Sequence, residues 1–186
     1  MDGTITLNGR WINVDIREIK REDAKQYLTL CQQLDEETQY MLFEPGERDL
    51  SIQEQEEKIE HILLQKHSTI LVADNGEQII GFIAVLGNQL KRTLHRASIV
   101  IGILKDYQGQ GMGKQLMAAA EAWAQERGIR RLELTVMSHN KQALWLYSAF
   151  NYNVEGIRRK ALIVDNRFVD EFYMGKMLPT AAQGIQ

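Results

Sequence analysis

The sequence predicts a mixed α/β (α+β) domain in which hairpins flank a βαβ-like centre. Three observations carry that prediction. Apolar runs of strand length alternate with helical patterns, and the turn pairs Asn75-Gly76 and Asp165-Asn166 each join two such runs. A glycine-rich turn, QGQGMGK, leads from the apolar run SIVIGIL into the helical pattern KQLMAAAEAWAQERG.

Residues 10–18 alternate, with Ile12, Val14 and Ile16 on one face of a strand. REDAKQYLTLCQQL has helical spacing, and its leading acidic residues suit a helix N-terminus. DEETQYMLFEPGERD then breaks the period with Pro45-Gly46 and six carboxylates in fifteen residues. Ser51, with Glu54 three residues on, forms a capping box for a helix running to about Lys66. STILVAD and QIIGFIAVLG read as a hairpin across Asn75-Gly76. HRASIVIGIL is the next strand, followed by the glycine turn and a helix to about Arg127, stopped by Gly128. RRLELTVM is a strand with Leu132, Leu134 and Val136 on one side. Asn140 caps the short helix KQALWLYSAF, and EGIRRKALIV and RFVDEFYMGKML close the fold as a hairpin. The reading is seven strands and four helices in one domain, 1–178, with 179–186 as a flexible tail.

At 186 residues folding buries roughly 70% of the unfolded surface, so the core needs no disulfide or metal staple. Hydrophobic residues at 44% and charged residues at 25% mark a soluble globular chain. A net charge of -3 with no basic stripe argues against a nucleic-acid surface. Neither a basic-then-apolar leader nor an apolar run of about 18 residues is present, so no membrane partner and a cytoplasmic location are expected. Cys31, in a helical stretch, reads as a small buried hydrophobe. His61, His67, His95 and His139 lack metal-ligand spacing, so no metal is expected.

Three phosphate-binding folds compete for the glycine turn. A Walker loop needs glycine five places before Gly113, where Gln108 stands, and Ser or Thr after Lys114, where Gln115 stands. A dinucleotide fingerprint fits Gly109 and Gly111 but meets Lys114 at its third glycine, and the next strand ends in methionine rather than an acid. The third pattern, Q/R-x-x-G-x-G/A, is met by Gln108, Gly111 and Gly113. Here IGILKDYQGQGMGKQLM resembles motif A of the GNAT-type N-acetyltransferases. HNKQALWLYSAFNY resembles motif B, N-x-x-A-x-x-L-Y-x-x-x-G-F, through Asn140, Ala143, Leu146 and Tyr147. One departure is Asn151 in place of the motif's glycine, followed by Tyr152. Asparagine is the next best residue at positive φ, so a left-handed helix end is still expected. The resemblance covers residues 68–178 strongly and the earlier part by element order.

The resemblance implies the GNAT acyl-CoA N-acyltransferase fold, with a mostly antiparallel seven-stranded sheet, and acetyl-CoA as co-substrate. Backbone amides from Gln108 through Gly109, Gln110, Gly111, Met112 and Gly113 to Lys114 then face the pyrophosphate, helped by the partial positive charge of the helix N-terminus. Ile101 and Ile103 pair with the pantetheine arm, and the Ile101 amide polarises the thioester carbonyl. Tyr147 protonates the departing thiolate, while Asn140 caps its helix, binds the cofactor, or does both.

Many relatives carry a base glutamate four residues before the position of Ile101, and here that residue is Ala97. His95, two residues earlier on the same strand face, is the candidate base, directly or through a water. Glu133 reads as a partner in a buried hydrogen-bond pair. Glu44, in the loop that relatives use to cover the acceptor, is the candidate substrate contact, and the acidic loop would draw cationic amines. The expected reaction is direct transfer of acetyl from acetyl-CoA, in a ternary complex, to a primary amine of a small molecule or a protein N-terminus. Deprotonating a lysine-like amine at pH 7 costs roughly 4 to 5 kcal/mol and an α-amino group about 1 kcal/mol, so the missing glutamate tilts toward a low-pKa amine. The competing reading is a non-catalytic acyl-CoA-binding or sensory domain, favoured by Ala97 and opposed by Tyr147. Relatives are often dimers, so a homodimer is open.

Overall fold

The structure, a computed structural model, describes residues 2–7 and 10–179, with side chains from Ile12 onward. Among the described residues eight strands form one sheet. They are β1 (Asp2–Leu7), β2 (Arg10–Glu18), β3 (Thr69–Asp74), β4 (Ile79–Gly87), β5 (Arg96–Ile103), β6 (Arg131–Met137), β7 (Asn153–Val164) and β8 (Arg167–Met177). Their order is β1-β2-β3-β4-β5-β6-β8-β7, and every neighbouring pair is antiparallel except β5 and β6. Four helices accompany them: α1 (Ala24–Glu37), α2 (Ile52–Leu63), α3 (Met112–Glu126) and α4 (Lys141–Ala149). The expected strands and helices are thus all present, and β1 is an additional edge strand. Of the expected tail, 179–186, only Pro179 lies within the described residues.

The apolar runs in β3 and β4 are buried on both faces, as their near-continuous hydrophobicity requires. Ile70, Val72, Phe82 and Ala84 pack against Leu30 and Leu34 of α1 and Ile59 of α2. On the other face Leu71, Ala73, Ile83 and Val85 meet Met112, Leu116, Met117 and Ala120 of α3. Each such large side chain contributes about 1.5–3 kcal/mol by leaving water. Local signals end the helices where the sequence suggests. Ser51 Oγ accepts from the Glu54 amide while a Glu54 carboxylate oxygen accepts from the Ser51 amide. At the end of α4, Asn151 takes φ of 62°, and the Asn151 and Tyr152 amides donate to the Ser148 and Tyr147 carbonyls. That is the Schellman pattern, made here by asparagine.

The feature that positions the site is a partial pairing. β5 and β6 run parallel in register only at Arg96–Arg131, Ala97–Leu132 and Ser98–Glu133. Beyond Ser98, β5 continues alongside β4 to Ile103, while β6 continues alongside β8 to Met137. The two halves of the sheet therefore part, leaving a wedge between Ile99–Ile103 and Leu134–Met137.

Candidate active site

Strand geometry decides which backbone groups enter the wedge. The Leu104 amide donates to the Ile80 carbonyl on the β4 side at 3.0 Å. The His95 carbonyl accepts from the Arg130 and Arg131 amides on the β6 side at 2.7 and 3.0 Å. Backbone groups alternate sides along a strand, so Ile101 and Ile103 turn theirs toward β6, past the last residue that β6 pairs. Gln108 Nε2 occupies one of these groups, the Ile103 carbonyl, at 2.8 Å. The cleft that follows, about 950 Å³, runs from this strand edge to the glycine turn and under the loop between α1 and α2.

The glycine turn closes one end. Gly111 has φ of 86° and caps α3, whose first backbone bond comes from the Gln115 amide to the Gly111 carbonyl. The amides ahead of it, those of Met112, Gly113 and Lys114, have no acceptor within the helix. Gln108, Gly109, Gly111, Gly113 and Lys114 line the cleft. Met112 and Gln110 do not: the Met112 side chain is core, and Gln110 Nε2 donates to the Asp106 carbonyl, leaving only their backbone available. A Cβ on Gly113 would stand 3.0 Å from Leu146 Cδ2, so this glycine lets α4 approach the turn. The Lys114 ammonium sits 5.1 Å from the centre of the exposed Trp145 ring.

α4 supplies the opposite wall. Asn140 Oδ1 accepts from the Ala143 amide at 3.1 Å, and Asn140 lines the cleft two turns from Tyr147. Tyr147 is buried to 7% exposure, yet it lines the cleft, and its hydroxyl has no partner among the described residues. Burial pushes its phenol up to about 12. The roof is the α1–α2 loop, tied down at three points. Glu37 accepts from the Lys105 amide at 2.8 Å, Tyr40 meets His139 with ring centres 5.5 Å apart, and Arg48 pairs with Asp35 at 2.7 Å.

The sequence pattern of the acetyltransferase (GNAT) family matches residues 28–152. The chain belongs to that family. This acetyltransferase is 25% identical over 111 residues to the L-amino acid N-acetyltransferase AaaT of Escherichia coli (strain K12), covering 58% of this chain and 67% of AaaT. A GNAT acetyltransferase structure from Streptococcus pneumoniae superposes with a TM-score of 0.85 at 29% identity, over 89% of this chain and 99% of that one. The structure of yncA from Salmonella typhimurium, solved with its cofactor acetyl-CoA, shares the fold at a TM-score of 0.79 and 15% identity, over 91% of this chain and 96% of that one.

Two sequence-derived candidates in this acetyltransferase stand apart from the cleft. His95 precedes β5, is exposed, and does not line the cleft. Six strand residues, about 20 Å, separate it from Ile101, a span that an imidazole does not cross, so His95 is too far away to act as the base despite the shared face. Glu44 is exposed on the roof loop and lines a smaller depression beside the cleft with Pro45, Leu162 and Ile163. Ala97 lies in the core, so a side chain there would not face the cleft. Cys31 is buried, and desolvation pushes its thiol up to about 11, which fits an inert packing role.

Other residues line the cleft that the sequence did not place there. Glu133 is buried between Arg96 at 3.0 Å and Arg131 at 2.9 Å, as the paired reading expected. Glu171 and Tyr173 of β8 line the floor. Glu171 Oε2 accepts from Arg158 at 2.8 Å, while its Oε1 has no partner among the described residues. Alternation in RFVDEFYMGKM puts Glu171 and Tyr173 on one face, but only the pairing of β8 with β6 brings that face to the wedge.

Proposed function

We propose that this protein transfers the acetyl group of acetyl-CoA directly to a primary amine of a small molecule or a protein N-terminus, both substrates being bound together. The observation that carries the reading is the edge of β5 that no strand pairs at Ile101 and Ile103, where only the Ile103 carbonyl is taken, by Gln108, and which faces a wedge bounded by the glycine turn and Tyr147. The residues fit acetyl-CoA. An extended pantetheine arm can pair with the open edge of β5 as a strand would, and the glycine turn beyond it offers helix-terminal amides that have no acceptor within the helix. The acetyl-CoA-bound yncA neighbour and the amino-acid acceptor in the name of the Escherichia coli relative support the cofactor and a small amine respectively.

When bound, acetyl-CoA supplies an activated acyl thioester. The Ile101 amide is aimed at the negative charge that grows on the carbonyl oxygen, a contribution commonly worth a few kcal/mol. Amides from Gly109 to Lys114 hold the pyrophosphate, and Asn140 stiffens the α4 terminus beside it. Glu171 Oε1 takes the proton that the attacking amine must shed. The Tyr147 hydroxyl gives its proton to sulfur as the C–S bond breaks and regains one from solvent, to which Glu171 returns the proton it took. The N–C bond forms, the C–S bond breaks, and the products are an N-acetyl amine and free CoA.

The deciding experiment follows free thiol from acetyl-CoA against a panel of amino acids, polyamines and peptide N-termini. Amine-dependent thiol release with matching acetylated product is expected. Tight CoA binding with no amine-dependent release across the panel would replace this reading with that of an acyl-CoA-binding domain.

A further inference from the structure

The roof of the cleft carries a cation that acetyl transfer does not use. Arg48 Nε and Nη2 donate to the two Asp35 oxygens at 2.7 and 3.0 Å. This leaves Nη1 without an acceptor among the described residues, together with the second hydrogen of Nη2. A guanidinium presents two such edges, and the second is the bidentate fork that matches a carboxylate. Its orientation is fixed before any ligand arrives. Asp35, 2% exposed at its side chain, grips one edge, and the Phe43 ring lies 4.4 Å from the guanidinium carbon. The Arg48 side chain is 14% exposed, and Arg48 is among the residues that line the cleft.

Position ties that edge to the reacting centre. The last two turns of α1 rest on the part of β5 whose edge is open. A Cβ on Gly102 would fall 2.7 Å from Leu34 Cδ1, and Glu37 accepts from the Lys105 amide at 2.8 Å. Asp35 lies between Leu34 and Glu37, so the ion pair ties Arg48 to the end of α1 that rests on this stretch of strand. Around it the cleft is apolar: Tyr27, Met41, Ile62, Ile70, Phe82 and Leu86 line the compartment between α1, α2 and β4. Across the wedge, Glu171 offers a free carboxylate oxygen to an ammonium. A cationic fork above, a carboxylate below and apolar walls beside them complement a zwitterion with a hydrophobic side chain. A protein N-terminus would set a neutral peptide amide against the Arg48 fork and leave it unmatched.

We propose that the acceptor is a free apolar α-amino acid, its carboxylate held by the unused edge of Arg48 and its side chain by the apolar compartment beside it. This rests on the acetyl-transfer reading above and chooses between its two acceptor classes. The group transfer is unchanged, with an N-acetyl amino acid and CoA as products.

Steady-state thiol release is measured with L-leucine, L-leucinamide and 3-methylbutylamine, on wild type, Arg48→Met and Arg48→Lys. In wild type, kcat/KM for leucine exceeds that for leucinamide at least tenfold, although the amide carries the more easily deprotonated amine. Arg48→Met raises the leucine KM at least tenfold with kcat within threefold, and leaves leucinamide within threefold of wild type. Arg48→Lys, whose single ammonium is taken by Asp35, keeps the melting temperature and loses the leucine preference, which decides the matter if the methionine variant does not fold. Equal losses on leucine and leucinamide would reduce Arg48 to a loop staple and overturn the proposal. So would a wild-type preference for either carboxylate-free amine, which leaves acetyl transfer standing. No amine-dependent thiol release with this set or with the wider panel would instead overturn acetyl transfer itself.

Discussion

Tyr147 is a phenol asked to act as an acid while held where its anion is disfavoured. Burial lifts it to about 12, some distance above the reference thiol near 8.5. Complete transfer of its proton to a free thiolate would be uphill by about 5 kcal/mol at 1.36 kcal/mol per unit. The proton must therefore move as the sulfur acquires charge, and no tyrosinate accumulates. Tyr147→Phe is expected to lower kcat 10- to 100-fold while the KM for acetyl-CoA changes less than threefold. The wild-type rate profile should show no limb near pH 9 that vanishes in the phenylalanine variant; finding one would mean the tyrosine ionises in the working range. Glu171 is the cleft carboxylate with a free oxygen, whereas Glu133 is committed to two arginines. Glu171→Gln should cost 10- to 100-fold in kcat, a typical general-base contribution at its lower end. An unchanged kcat would return the proton to water alone.

At the scale of elements, the glycine turn separates conformational from steric demands. Gly111 sits at φ of 86° with nothing within 4 Å of an added Cβ, so Gly111→Ala is strained by its backbone alone. The cost is about 1–2 kcal/mol, read from urea denaturation. Gly113 has no positive φ but would bring a methyl to 3.0 Å from Leu146 on α4. Gly113→Ala should therefore lose less stability and more CoA affinity, because it pushes α4 from the turn. The reverse ranking would mean that Gly113, rather than Gly111, sets the conformation of the turn. These glycines, the Ser51 and Asn140 caps and the Asn151 helix end were legible in the sequence because each acts within a few residues of itself. The wedge was not. SIVIGIL and RRLELTVM both read as ordinary strands, and only their three-residue register shows that they part. His95 illustrates the limit: alternation gave its face, but nothing local gave its distance from Ile101. Arg48 and Glu171 were equally silent, since one is defined by Asp35 thirteen residues back and the other by the pairing of β8 with β6.

For the whole molecule, three buried tyrosines make stability depend on alkaline pH. Burial raises Tyr27 well above its ordinary value, Tyr147 to about 12, and Tyr152 further still. A group whose folded-state pKa is raised stabilises the fold fully below its unfolded pKa. That contribution disappears as pH climbs through the folded value. With an unfolded phenol near 10, the melting temperature should hold level to about pH 9 and fall progressively from about pH 10 upward. Tyrosinate absorbance from these three rings should appear together with loss of helical circular dichroism, because they ionise on unfolding. Tyr152 isolates the cause, since its hydroxyl is buried without a partner among the described residues and its ring borders Tyr147 at 6.0 Å. Removing an unpaired buried hydroxyl relieves a desolvation penalty of about 1–3 kcal/mol. Tyr152→Phe is thus expected to melt no lower than wild type at pH 8 and to soften the fall above pH 10. A variant that melts several degrees lower at pH 8 would show that the hydroxyl holds a partner, such as an ordered water between α4 and Glu121, and that its burial is compensated.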